Sequence, residues 1–160
     1  MQVRRPLMAF AAVAALASCS SSTDSSGASI IGSWVADSAA SPTGHYVRQL
    51  IFTNDGKFVL DFRSYGLYEN QQPTALSGYG RTAGSFTVNG DQLNFEPAWL
   101  SVWDYTFGRD APQTVYAPYP YDHFYDDARF NIEGTTLTLN FTAYPADAPV
   151  PTTQIFQRDQ

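Results

Sequence analysis

The chain has 160 residues, of which 44% are hydrophobic and 15% aromatic, and a formal net charge of −6. That length suits one domain, and the acidity speaks against nucleic acid and anionic lipid surfaces, both of which want basic patches. Cys19 is the only cysteine, so no intramolecular disulfide can form.

The first 19 residues have three parts in order. Arg4 and Arg5 are positive, 6–16 is an apolar run of 11 residues, and Leu16-Ala17-Ser18-Cys19 follows. A transmembrane helix needs about 20 apolar residues, so the run reads as the core of a cleaved signal. The tetrapeptide resembles the lipobox of bacterial lipoproteins. That resemblance implies that Cys19 is diacylated and becomes the new N-terminus after residues 1–18 are removed. Plain secretion, with cleavage after Ala17 or Ser18, is the alternative. A lone exposed thiol in an oxidising compartment would be a liability, and lipidation accounts for its presence. Each buried CH₂ of the anchor contributes about 0.8 kcal/mol, and two or more chains hold stably.

Residues 19–29 then form a Ser-rich tether without aromatic or branched aliphatic side chains, expected to be flexible. Ser20 resembles the pattern sorted to the outer membrane in enteric-type envelopes. The expected location is therefore the cell envelope, lipid-anchored, at the outer membrane where the organism has one. Losing Arg4 and Arg5 leaves seven basic residues against fifteen acidic, a net charge of −8.

The domain proper, 30–160, reads as short alternating runs cut by turn signals, the mark of an antiparallel meander. Strands are expected at 30–35, 45–53, 57–65, 82–88, 92–96, 129–132, 135–142 and 152–158. Asn54-Asp55-Gly56 and Asn89-Gly90 are strong hairpin signals, and Glu133-Gly134 links two late strands. Phe58, Leu60 and Phe62 share one face, with Val59, Asp61 and Arg63 on the other. Leu137, Leu139 and Phe141 alternate with Thr136, Thr138 and Asn140 in the same way. The one helical expectation is a short turn at 98–103, started by Pro97. About eight strands predict an all-β, antiparallel up-and-down barrel, since closure removes exposed edges. An antiparallel β-sandwich is the alternative.

Gly32-Ser33-Trp34 opens the first strand, and Phe156-Gln157-Arg158 closes the last. This pair resembles the calycin signature of lipocalins and fatty-acid-binding proteins. The resemblance implies that Trp34 closes one barrel end and that Arg158 packs over its indole by a cation–π contact. The runs 50–58 and 84–93 likewise resemble the strand–turn–strand repeats of bacterial lipocalin-like domains.

Between two clear strands, 97–127 holds nine aromatics in 31 residues. Segments of that length are often functional, and aromatics with polar tips make good pocket walls. Trp99, Trp103, Tyr105, Tyr116, Tyr119, Tyr121 and Tyr125 are the candidate ligand-binding residues; Phe107 and Phe124 complete the nine aromatics. The alternative is one more hairpin plus a lid, its aromatics filling the barrel end. Asp122, His123 and Asp126 form an acidic cluster with a histidine, but one His without Cys or a recognised spacing reads as a solvated loop rather than a metal site. His45, at a strand start, reads as structural or exposed. No Gly-x-Ser-x-Gly elbow and no phosphate-binding loop is present. A carboxylate pair of Glu96 or Asp104 with Asp126 is the sort any acidic chain allows. No enzyme and no cofactor is expected. The expected function is binding of a small apolar or amphipathic ligand by a membrane-anchored barrel. The alternative is a non-catalytic structural or envelope-protein interaction module with a solid-packed interior, towards which the Phe, Leu and Ile at inward positions lean.

Overall fold

Residues 29–38, 45–66, 75–104 and 113–159 are described by the structure, a computed structural model. They form nine strands: β1 Gly32–Asp37, β2 His45–Phe52, β3 Lys57–Tyr65, β4 Leu76–Asn89, β5 Gln92–Asp104, β6 Thr114–Tyr116, β7 Asp126–Glu133, β8 Thr136–Ala143 and β9 Val150–Arg158. All pairings are antiparallel. Strands β1 to β5 pair in sequence, as do β7 to β9; β5 also meets β7, and β9 returns to β1. Eight strands therefore close an up-and-down barrel, and β6 lies outside the ring as an extra strand on β5. A closed ring is what a meander of amphipathic strands reaches when its end strands satisfy each other's edges.

The alternation places the core. Leu50, Leu137, Leu139 and Phe156 are fully buried, with Phe52 and Phe58 at 1% exposure. Fully burying such side chains contributes about 1.5–3 kcal/mol each, which holds the barrel wall together. Phe52 and Phe86 meet edge to face at 4.8 Å, as do Phe58 and Phe95 at 5.0 Å, an arrangement that suits the ring quadrupoles.

The expected helical turn at 98–103 is instead the far half of β5. Leu100 and Val102 alternate with Ser101 and Trp103 along a register that runs from Ala83↔Trp99 to Gly78↔Asp104. That is period two, and the long β4 supplies the partner. Pro97 sits at the register shift between Ala83 and Gly84, where a residue without an N–H does least harm to a ladder. The segment 97–127 is accordingly not one long loop: β5 runs through to Asp104, and β6 forms a further hairpin with it.

Candidate functional site

The two ends of the barrel differ. At one end Trp34 is 0% exposed and donates from Nε1 to the Ile30 carbonyl at 2.7 Å. The chain leading into β1 thus passes across the base. Arg158 covers the same indole, its guanidinium carbon 4.1 Å from the ring centroid. Its nitrogens donate to the carbonyls of Ile31 at 3.1 Å and Ser29 at 2.7 Å. Gly32 adopts φ +130°, and a Cβ there would stand 2.8 Å from Arg158 Nη1. Gly32, Trp34 and Arg158 are therefore one construction that seals the base.

The other end is open. On one side a cavity of about 450 Å³ is lined by Arg48, His123, Tyr125, Phe141, Thr152, Gln154 and neighbouring residues. On the other, a cavity of about 290 Å³ is lined by Leu60, Phe62, Gly80, Thr82, Leu100, Val102 and others. Both lie at the end away from Trp34, lined mainly by inward-facing residues with a few from the rim. The volumes are of the order that holds small molecules; the larger cavity mixes polar and aromatic walls, and the smaller is mainly apolar. The packed core extends from Trp34, Leu50 and Phe156 through Phe58 and Phe95 to Phe124, Tyr125 and Phe141, and the larger cavity opens against those last three.

The wall between β5 and β7 explains how the aromatic-rich segment is used. These strands share one register pair, Gln92↔Arg129. Beside it the Phe130 N–H donates to the Asp91 carbonyl at 2.9 Å, and Arg129 Nη1 donates to both Asp91 carboxylate oxygens at 2.8 and 2.9 Å. Farther along, β5 pairs with β6, and the Tyr119 N–H donates to the Ala98 carbonyl at 3.0 Å. The chain then turns inward. Phe124 stacks on Phe58 at 5.4 Å, and Tyr125 meets Phe141 edge to face at 4.3 Å. Tyr125 has φ +50°, a conformation that costs a non-glycine residue about 1 kcal/mol or more and here aims its ring into the lumen. Its hydroxyl donates to Gln154 Oε1 at 3.2 Å. Burial pushes the Tyr125 phenol up to about 12. Burial also raises Tyr119 to about 12, with Tyr121 and Asp126 adding to the shift.

The expected site residues separate. Tyr125 lines the larger cavity and Trp103 the smaller. Tyr119 is partly buried, 5.6 Å from Phe124 and 5.5 Å from Tyr121. Trp99 sits opposite Ala83 on the outward register of β5. Tyr116 and Tyr121 are exposed, at 42% and 61%. Cys19, Tyr105 and Phe107 lie outside the described residues. His45 stacks on Tyr65 at 4.7 Å. In the acidic cluster His123 Nδ1 lies 2.6 Å from Asp126 Oδ2, and the Phe124 N–H donates to Asp126 Oδ1 at 3.0 Å. His123 also stacks on Tyr144 at 3.6 Å. Among the described residues no three His, Cys, Asp or Glu side chains converge as a metal ion requires. Sequence reasoning missed Arg48, which lines the larger cavity, and Phe62, which lines the smaller. Alternation with Leu60 was the available signal for Phe62; β2, whose two faces both mix polar and apolar residues, offered none for Arg48.

A second polar construction lies outside the barrel. Asp61 is 3% exposed and receives Arg81 through two hydrogen bonds, at 2.6 and 2.8 Å, and Tyr79 Oη at 3.0 Å. Burial alone would raise the Asp61 carboxyl. Hydrogen bonds from Arg81 and Tyr79, with the charges of Arg81 and Arg63, more than offset that and hold it below its ordinary value. This cluster ties β3 to β4 and leaves no open chemistry.

Fold and site together define an antiparallel up-and-down barrel, sealed at one end and hollow at the other. Comparison with family models, characterised proteins and solved structures finds no match to the chain.

Proposed function

We propose that the chain is a membrane-anchored envelope lipoprotein whose lipocalin-like barrel binds a small apolar or amphipathic ligand. The observation that carries the ligand reading is the asymmetry of the interior: packed at the Trp34 end, open at the other in two cavities of about 450 and 290 Å³. A solid-packed module has no use for such a lumen. The anchor reading rests on the Leu16–Cys19 tetrapeptide and the short apolar run before it. The two readings agree in geometry. Ser29 meets the sealed base through Arg158, so a tether ending there leaves the open mouth unobstructed.

Two measurements test this. Titrating the purified chain with the neutral fluorophore N-phenylnaphthylamine should give saturable enhancement, and Val102→Trp, which fills the smaller cavity, should weaken it. No enhancement, or none lost in the variant, refutes the lumen as a binding site. For the anchor, cells given radiolabelled palmitate should label the wild-type chain and not Cys19→Ser. Label retained in the variant refutes the lipid attachment.

A further inference from the structure

Among the described residues, every non-glycine residue with positive φ sits at one corner of the open end. Tyr125 (φ 50°) and Asp127 (φ 54°) lie where the chain enters β7, and Ala146 (φ 51°) and Asp147 (φ 62°) lie in the short 3₁₀ turn after β8. Asp126 and Thr142 are register partners, so the two strained pieces stand side by side. A residue with a Cβ holds this backbone only where its surroundings impose it, and such residues gather at clamps and switches.

One imidazole ties the two pieces together. His123 Nδ1 lies 2.6 Å from Asp126 Oδ2, and the ring lies flat on Tyr144, with 3.6 Å between centroids and 10° between planes. Both rings line the larger cavity, so their stack is part of its rim. The strap ahead of His123 is lightly held. Among the described residues, 117–122 makes one hydrogen bond to the barrel, from the Tyr119 N–H to the Ala98 carbonyl, and all of it but Tyr119 is exposed. Behind His123, Phe124 and Tyr125 pack against the core and give the strap a fixed end to turn on. The 3₁₀ turn Pro145–Asp147 on the other side buries no residue.

Imidazole is the side chain that gains charge just below neutrality. Uncharged, His123 donates a neutral-donor hydrogen bond to Asp126. Charged, it adds an ion pair at the same distance and is drawn to the face of the Tyr144 ring. Asp122 beside it and Asp127 and Asp147 on the strained pieces favour the cation. Arg48, the one other basic group lining the cavity, opposes it, and Tyr125 stays neutral there. Asp126, in hydrogen-bond contact, outweighs charges farther off, because Coulomb energy falls with distance and screening.

We propose that His123 is a proton-operated clasp on the rim of the larger cavity. With the proton bound, the strap and the 3₁₀ turn are held together and the rim is narrow. Without it the hold on the strained backbone weakens, His123 and Tyr144 part more often, and the rim widens. Only the use of the clasp as a gate rests on the ligand-binding reading above.

The first test needs no ligand. Amide hydrogen exchange of the purified full chain is read by mass spectrometry at about pH 6 and about pH 8, on either side of the imidazole range, and corrected for the intrinsic pH dependence of exchange. Peptides covering 119–124 and 144–149 should be about five- to tenfold better protected at the lower pH, the gain of a charged over a neutral hydrogen bond. Peptides of β3 should be equally protected at both. His123→Gln keeps a donor for Asp126 but takes no proton. It should abolish the difference while β3 stays as protected as in wild type, which shows that the variant is folded. Tyr144→Leu should lower protection of 144–149 at both pH values, and unchanged protection there overturns the stack as part of the clasp. No pH difference in the wild type, a difference that survives in His123→Gln, or one shared equally by β3 overturns the clasp itself.

The second test reads the gate. Stopped-flow entry of the neutral N-phenylnaphthylamine should be slower at the lower pH by a similar factor in the wild type and pH-independent in His123→Gln. Equal wild-type entry rates overturn the gate while the exchange result decides the clasp. No fluorophore binding at either pH overturns the lumen reading, and the gate with it.

Discussion

Arg158, at the end of the last strand, lies with its guanidinium carbon 4.1 Å from the ring centroid of Trp34 in the first, and the two residues are direct register partners. They are 124 positions apart in the chain, so their contact exists only because the sheet closes. The arginine stem covers apolar ring while its nitrogens reach the carbonyls of Ser29 and Ile31, the usual division of labour in an amphipathic side chain.

That relationship sets the first prediction. Trp34→Ala should cost about 3–5 kcal/mol, because a large, fully enclosed aromatic is removed. Arg158→Ala should cost about 1–2 kcal/mol through lost packing and cation–π attraction. The double variant should fall short of the sum by at least about 0.5 kcal/mol, as contacting residues do. Urea unfolding of the four proteins measures the coupling, and strict additivity would mean that the contact carries no stability.

Gly84 gives a second. It faces Pro97 across the β4–β5 register shift, and a Cβ there would collide with the Glu96 carbonyl oxygen and stand 2.8 Å from the Pro97 Cα. Both obstacles are backbone, so neither can swing aside. Gly84→Ala should destabilise the barrel by about 1–3 kcal/mol, the ordinary cost of overpacking. Gly80, in the same strand and with ordinary strand backbone, where an added Cβ meets only the Ser101 carbonyl oxygen at 3.9 Å, is the control for crowding. Thermal unfolding distinguishes them: equal losses at both sites would show that space is not the cause at Gly84.

Much of this barrel was legible because its strands have unlike faces. Leu137 and Leu139 against Thr136 and Thr138 leave one solution for which side is buried, and Gly32, Trp34 and Arg158 mark where the ring joins. The first half of β4 was not legible: Ser77-Gly78-Tyr79-Gly80 has little strand character of its own, and its pairing with β3 and β5 imposes the conformation. The same partner strand draws 98–103 into β5 against the helical expectation. Arg48 was hidden for a different reason. In β2 the inward set Tyr46, Arg48, Leu50 and the outward set Val47, Gln49, Ile51 each mix polar with apolar, so periodicity alone does not say that the charge points in. The grip of Asp61 on Tyr79 and Arg81 spans 18 and 20 positions, which only strand register can bring together.

The Asp61 cluster predicts acid behaviour. The folded carboxyl titrates below its ordinary 3.8, so the unfolded chain binds the proton first. The stabilisation from Asp61 is complete above that value and is lost as pH falls from 3.8 through the lower folded value. Asp61→Ala should cost about 1–3 kcal/mol at neutral pH, because it strands the hydrogen-bonding groups of Arg81 and Tyr79. It should also flatten the acid limb of the stability profile, and an acid limb as steep as wild type's would assign the effect to other carboxylates.

Tyr125 predicts the alkaline limb. Its phenol is held at about 12 against an ordinary 10.0, first by burial, with the nearby Arg48 charge pulling the other way. Here the unfolded chain ionises first, so stability is undiminished below 10.0 and declines as pH rises from there towards about 12. Tyr125→Phe removes this dependence together with the hydroxyl that donates to Gln154. The variant should lose about 0.5–1.5 kcal/mol at neutral pH for the missing hydrogen bond and lose less than wild type between pH 10 and 11. In the folded wild type, phenolate absorbance should show a late-titrating fraction near 12, reduced in Tyr125→Phe. Arg48→Met should move the remaining late phase of Tyr125 later still, since the cation favours the phenolate. A shift to earlier titration would show that the guanidinium and the phenol do not share the lumen as described.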